Sequence, residues 1–169
     1  MPPCRQILKA AVTFAPPIFT MSIEQAIKQP HFRSSRQKAI VNLLYTHGWL
    51  MERIKTLLAQ EGVTPQQYNI LRILRGSSPT PLSTLQIRER MLDKMSDTSR
   101  IVDRLILKNL VHKTVCATDK RLVDVLITDK GLELLQRLDA RNDEVDDTLA
   151  SLSETEVEQL SSLLDKMRG

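Results

Sequence analysis

A mainly α-helical domain carrying one small β-hairpin is the fold class that the sequence predicts. Three observations point there. Apolar residues recur at helical spacing through most of the 169 residues. One stretch, Leu110–Thr128, switches instead to strand-like alternation. Glycine is scarce, at 5 residues, which argues against an all-β fold built on tight turns. Aromatic residues make up only 4% of the chain, so the core must be aliphatic.

The elements follow in order. From Ser35 to Glu61 apolar residues fall at Ile40, Leu43, Leu44, Met51, Ile54, Leu57 and Leu58, which predicts a long helix. Gly62 ends it in the manner of a glycine just past a helix C-terminus. Thr64 as N-cap and Pro65 at the first helical position start the next helix, which runs to Gly76 with Tyr68, Leu71 and Leu74 on one stripe. "SSPTP", Ser77–Pro81, is a turn. A short helix follows from Ser83 to about Arg90, with Leu85 and Ile87 expected to face inward. "LDKMSD" turns the chain into a further helix, about Ser96–Lys108, with Ile101, Val102, Leu105 and Ile106 apolar and Asn109 as its stop.

In the second hairpin strand Val123, Val125 and Ile127 share one face, and Leu122, Asp124 and Leu126 the other. Thr128 caps a helix expected over Asp129–Leu149, with Leu132, Leu135 and Leu138 apolar. Ser153 followed by Glu156 is a capping box for a last helix to about Met167, with Val157, Leu160, Leu163 and Leu164 on one side. Three helices followed by a hairpin is the winged helix-turn-helix pattern. Its second turn helix enters the DNA major groove, and its wing touches the backbone or minor groove.

Charge points the same way. Residues 139–169 hold 3 bases and 9 acids, whereas residues 1–138 hold 21 bases and 11 acids. A basic body suits a polyanion partner. Cys4 and Cys116 stand far apart without a CxxC, so neither a disulfide framework nor a zinc site is expected, and the usage fits a reducing cytoplasm. No run reaches the ~18 apolar residues that span a bilayer, so no membrane partner is expected. His31, His47 and His112 lack ligand-like spacing, so no metal or cofactor is predicted. Phosphate loops and hydrolase or zincin motifs are absent from the sequence, which argues against an enzyme.

The stretch Ser96–Gly131, "SDTSRIVDRLILKNLVHKTVCATDKRLVDVLITDKG", resembles the signature region of the MarR family of transcription regulators. The matching parts are a helix ending "VDRL", the step "KNLV", D-x-R at the hairpin tip and the exit V-x-I-T-x-K-G. The likeness extends over about Ser35–Met167, and not over residues 1–20. It implies a cytoplasmic homodimer on a pseudo-palindromic site of double-stranded DNA, commonly a repressor. The implied organisation is a winged helix-turn-helix domain flanked by N- and C-terminal dimerisation helices. An N-terminal extension covers 1–34, a first dimerisation helix 35–61, the DNA-binding lobe 62–128 and the C-terminal dimerisation helices 129–169. Apolar surface on the outer helices in excess of what one small core can cover agrees with a dimer. Met21 is read as an alternative start, with residues 1–20 outside the main fold.

The resemblance also nominates residues. Ser96, Asp97, Thr98, Ser99, Arg100 and Arg104 offer hydroxyls and guanidinium groups for phosphates and base edges. Against this stand helix capping by Ser96 or Asp97 and scaffold ion pairing around Asp103 and Arg104. At the hairpin tip, family members place the matching arginine, here Arg121, in the minor groove, with Asp119 aiming it and Lys120 on a phosphate. Small aromatic or lipophilic effectors commonly bind in a crevice beside the dimer helices. His47, Trp49, Met51, Arg53 and Tyr68 are the candidates for lining it, with core or dimer packing as the alternative. Thiol-based peroxide sensing is not expected, because no cysteine falls between Ser35 and Glu61. The competing function is an architectural or protein-interaction winged helix without a ligand-controlled operator.

Overall fold

The computed structural model describes residues 21–115 and 123–169. The chain divides into two units, one ending at Asn42 and one spanning Leu43–Gly169. In the first, a short helix not expected from the sequence, α1 (Ile23–Ala26), starts where the Ser22 amide donates to Gln25 Oε1 at 3.1 Å. Lys38 Nζ lies 2.6 Å from Glu24 Oε1. The long helix α2 (Ser35–Ala59) begins in this unit, where the Gln37 amide donates to Ser34 Oγ at 3.2 Å.

The second unit starts within α2 and holds the remaining elements. The end of α2 follows from its sequence. Gly62 takes φ +68°, its amide donates to Ala59 O at 3.0 Å, and the Val63 amide reaches back to Leu58 O at 3.2 Å. That pair of bonds closes a helix in the left-handed turn that glycine tolerates best. Thr64 Oγ1 then accepts from the Gln67 amide and Gln67 Oε1 from the Thr64 amide, so a capping box opens α3 (Pro65–Ser77).

Ser83 caps α4 (Thr84–Arg90) in the same reciprocal way with Gln86. Ile87 is fully buried, but Leu85 is 58% exposed, contrary to the inward face expected for both. Residues two apart on a helix lie on opposite sides, so only one of them can face the core. Helix α5 (Thr98–Leu107) ends like α2, with Asn109 at φ +56° and the Leu110 amide on Leu105 O at 3.0 Å.

Strands β2 (Val111–Val115) and β3 (Val123–Ile127) form the expected antiparallel hairpin, with Val111 opposite Ile127 and Lys113 opposite Val125. A third strand was not foreseen. β1 (Leu82–Ser83) pairs with β3, Leu82 opposite Val125, giving the order β1–β3–β2.

The single helix expected over 129–149 is broken. It consists of α6 (Asp129–Asp139), α7 (Asp143–Asp146) and one 3₁₀ turn over Asp147–Leu149. Tight amide bonds from Arg141 to Leu138 O and Asn142 to Asp139 O close α6. The acids Asp143, Glu144 and Asp146 then sit in the first turn of α7, where the helix dipole favours negative charge. The last helix, α8 (Glu154–Arg168), starts at the expected box, with Glu156 Oε2 accepting from the Ser153 amide at 2.8 Å.

The core of this unit is aliphatic, as the composition requires. Ile70 and Leu71 from α3, Ile87 from α4, Val102 and Leu105 from α5, Val125 from β3 and Leu135 from α6 are all fully buried. Gly131 lets α6 press close, since a Cβ there would lie 2.4 Å from Leu110 O and 2.7 Å from Ile127 Cγ1. Arg75 on α3 forks onto both carboxylate oxygens of Asp139 at the end of α6.

Candidate nucleic-acid interface

Helix α5 has two unlike sides. Val102 and Leu105 are fully buried, while Ser99, Arg100, Asp103 and Arg104 are exposed on the other side. Its start is built by two acids. Asp93 Oδ1 accepts from the Met95 amide at 3.0 Å and its Oδ2 from the Ser96 hydroxyl at 2.7 Å. The Ser96 hydroxyl, followed by the Met95 amide, holds the Asp93 carboxyl below the usual carboxylate range. Asp97 is the N-cap, its Oδ1 accepting from the Arg100 amide at 3.2 Å. Its other oxygen lies 4.0 Å from Arg100 Nε, leaving the guanidinium side chain 74% exposed.

The helix therefore begins at Thr98 and not at Ser96. Half-buried Ser96 and the cap Asp97 precede it, engaged in holding the turn. Thr98 departs from the expectation of a contact surface. It is only 4% exposed, and its hydroxyl lies 3.3 Å from Met91 Sδ. One side of a ten-residue helix must fill the core, and Thr98 lies one turn before Val102 on that side. Asp103 pairs with Lys113 Nζ on β2 at 2.5 Å, tying α5 to the hairpin, which is the scaffold role weighed for it. Asp119, Lys120, Arg121 and Cys116 lie outside the described residues, as does Cys4.

Two further cations, outside the residues expected from the sequence, stand on the neighbouring helix. Arg88 and Arg90 are exposed in the last turn of α4. Their alternate spacing, R-E-R, was the available signal, but cations at a helix C-terminus are common as partners of the dipole alone.

The five candidates for an effector site are not brought together. Trp49 and Arg53 line an open cleft of about 490 Å³ with Glu52, Gln60, Glu144 and Thr148. There Arg53 stacks over the Trp49 ring, 4.9 Å from its centroid. Tyr68 lines a second cleft of about 280 Å³ with Arg72, Leu138, Asn142 and Asp146. Arg72 Nη1 donates to Tyr68 Oη at 3.2 Å, which pushes the Arg72 pKa up. Ile54, Leu57 and Val145 form the wall common to both clefts. His47 and Met51 line neither of them.

Helices α3, α4 and α5 followed by the β2–β3 hairpin make a winged helix-turn-helix. Comparison with known proteins agrees. The profile described as MarR family matches residues 61–122. The transcriptional repressor MdtR of Bacillus subtilis is 32% identical over 111 residues, covering 65% of this chain and 70% of that protein. The transcriptional regulator MhqR of the same organism is 29% identical over 131 residues, covering 77% and 89%. A MarR transcription factor of Planctomyces limnophilus matches with TM-score 0.63 and 32% identity, over 80% of this chain and 98% of that one. The MepR–DNA complex of S. aureus matches with TM-score 0.67 and 26% identity, over 76% and 94%. The chain belongs to the MarR family of transcription regulators.

Proposed function

We propose that the protein is a homodimeric repressor that binds a pseudo-palindromic site in double-stranded DNA and is released by a small aromatic or lipophilic effector. Ser99, Arg100 and Arg104 meet phosphates and base edges in the major groove, and Arg88 and Arg90 add phosphate contacts. Arg121, aimed by Asp119, enters the minor groove, and Lys120 supplies a further phosphate contact. The observation that carries the reading is α5 itself: a capped helix that buries Val102 and Leu105 completely on one side and offers a hydroxyl and two arginines to solvent on the other. MdtR is described as a repressor, and MepR was crystallised on DNA, which supports the same role here.

The organisation proposed with it uses 35–61 and 129–169 for dimerisation and 62–128 as the DNA-binding lobe. Leu43, Leu44, Tyr45 and Trp49 on α2, and Leu160, Leu163 and Met167 on α8, are exposed apolar side chains that suit a two-fold partner. Its site of action is the cytoplasm. The effector is assigned to the clefts lined by Trp49, Arg53 and Tyr68.

Fluorescence anisotropy with the DNA upstream of the protein's own gene tests the reading. Arg100→Ala and Arg121→Ala should each weaken binding about tenfold or more. Each lost phosphate contact should also flatten the log K against log salt slope by about one unit. Unchanged affinity in folded variants would remove these residues from the interface. Phenolic ligands that neither release DNA nor quench Trp49 fluorescence would remove the assigned cleft.

A further inference from the structure

Three consecutive residues at the end of α2 are each held by a cation from elsewhere in the chain. Arg141 Nη1 donates to Gln60 Oε1 at 2.8 Å. Arg137 donates through Nε and Nη2 to Glu61 Oε2 at 3.1 and 2.9 Å. Lys108 Nζ donates to Gly62 O at 2.5 Å and to Gln67 Oε1 at 3.0 Å. Gln67 is only 3% exposed, so a side chain without a donor at position 108 would cost a nearly buried amide oxygen one of its partners. Lys108 is also the C-cap of α5, and its own carbonyl accepts from Lys130 Nζ at 3.1 Å. The last turn of α5 is thus fastened on one side to the α2–α3 turn and on the other to the start of α6.

The one ion pair among them, Arg137 with Glu61, is a surface pair of the kind that contributes little to stability, so the gathering of three cations on one turn calls for another reason. We propose that Lys108 is a positioning residue for DNA recognition: its ammonium fixes the angle of α5 against the end of α2. The inference rests on the dimeric DNA-binding reading above. In a two-fold dimer built on α2, that angle sets the separation of the two α5 helices. Lys108 therefore acts on the half-site spacing that the dimer accepts, and touches no base or phosphate itself.

The test uses the full-length protein, with Lys108→Met and Lys108→Arg beside wild type. Anisotropy is read across a salt series on the footprinted upstream duplex and on the same duplex with one base pair inserted between its halves. Lys108→Met should lower affinity for the native spacing about tenfold and for the altered spacing by about threefold or less, so that spacing preference shrinks. Its salt slope should match wild type, and Lys108→Arg should restore the preference. An intact spacing preference in folded Lys108→Met overturns the inference. A slope smaller by about one unit also overturns it, since that marks a direct phosphate contact. Wild-type protein that binds neither duplex overturns the DNA reading itself, a failure visible in the control alone. Should Lys108→Met not fold, Gln67→Leu removes one of the two acceptors and should produce a smaller loss of the same preference; an unchanged preference there overturns the inference.

Discussion

Helices α5 and α8 are written in the same amphipathic pattern, yet the chain treats them differently. On α5, Val102 and Leu105 are fully buried. On α8 no residue is buried, and Leu160 and Leu163 stay 40% and 65% exposed. An apolar stripe says that a face wants cover. It does not say whether the cover comes from the same chain or from a second one.

The sharpest way to break this comparison is one leucine from each helix. Leu105→Ala should cost about 2–5 kcal/mol of unfolding free energy, because its surroundings can only partly collapse into the cavity. Urea denaturation reads it directly. Leu163→Ala should change the unfolding free energy by less than about 0.5 kcal/mol in dilute protein, and in the homodimer proposed above it should instead raise the dissociation constant in sedimentation. Self-association untouched by that change would remove α8 from the proposed dimer face.

Gly131→Ala comes next. Its added Cβ meets a backbone oxygen, Leu110 O, which cannot swing aside, so about 1–3 kcal/mol of destabilisation is expected. The same exchange on α2, Gly48→Ala, meets nothing within 4 Å in the single chain and should stabilise it by up to about 1 kcal/mol. Parallel thermal melts compare the two.

The smallest effect concerns Asp139. The hydrogen bond from Arg75 is the main force holding its carboxyl below the usual value of 3.8. The unfolded chain then holds the proton more tightly than the folded one. Stability from this pair is full above about pH 4 and drains away as pH falls through the folded value. Both side chains are about a third exposed, which limits the contribution to about 0–1 kcal/mol. Asp139→Asn should lose that amount at pH 7 and should show a shallower fall in urea midpoint between pH 5 and 3.

What could be read ahead of the structure was what short-range chemistry decides. Gly62, Thr64 with Pro65, Asn109 and the Ser153–Glu156 box act within a few residues, and each stands where local rules put it. Features whose deciding partner is distant are not legible in the sequence. The pairing of Leu82 with Val125 joins residues far apart in the chain, and a two-residue strand carries no periodic pattern. The break after Asp139 falls inside an unbroken helical pattern and follows from where a run of acids can sit on a helix dipole. Thr98 was polar and at the right end of α5, but only the packed lobe decides that its hydroxyl faces Met91. Arg88 and Arg90 lie before Ser96–Gly131, the stretch whose residues carry the resemblance, so nothing local in the sequence beyond their spacing singles them out. The stack of Arg53 on Trp49 and the separate place of Tyr68 needed the folded helices before they could be told apart.

The two residues of β1 have a consequence for how the protein survives at high concentration. A bare two-stranded ribbon is marginally stable in water and exposes two open edges to which other chains can add. With β1 in place, β3 is flanked on both sides at Asp124 and Val125, and the outer strand β2 presents His112, Lys113 and Thr114 to solvent. A lysine on an edge discourages the approach of a further strand. Leu82 and Ser83 thus guard the hairpin against growing into a larger sheet, a protection against aggregation that two residues are enough to provide.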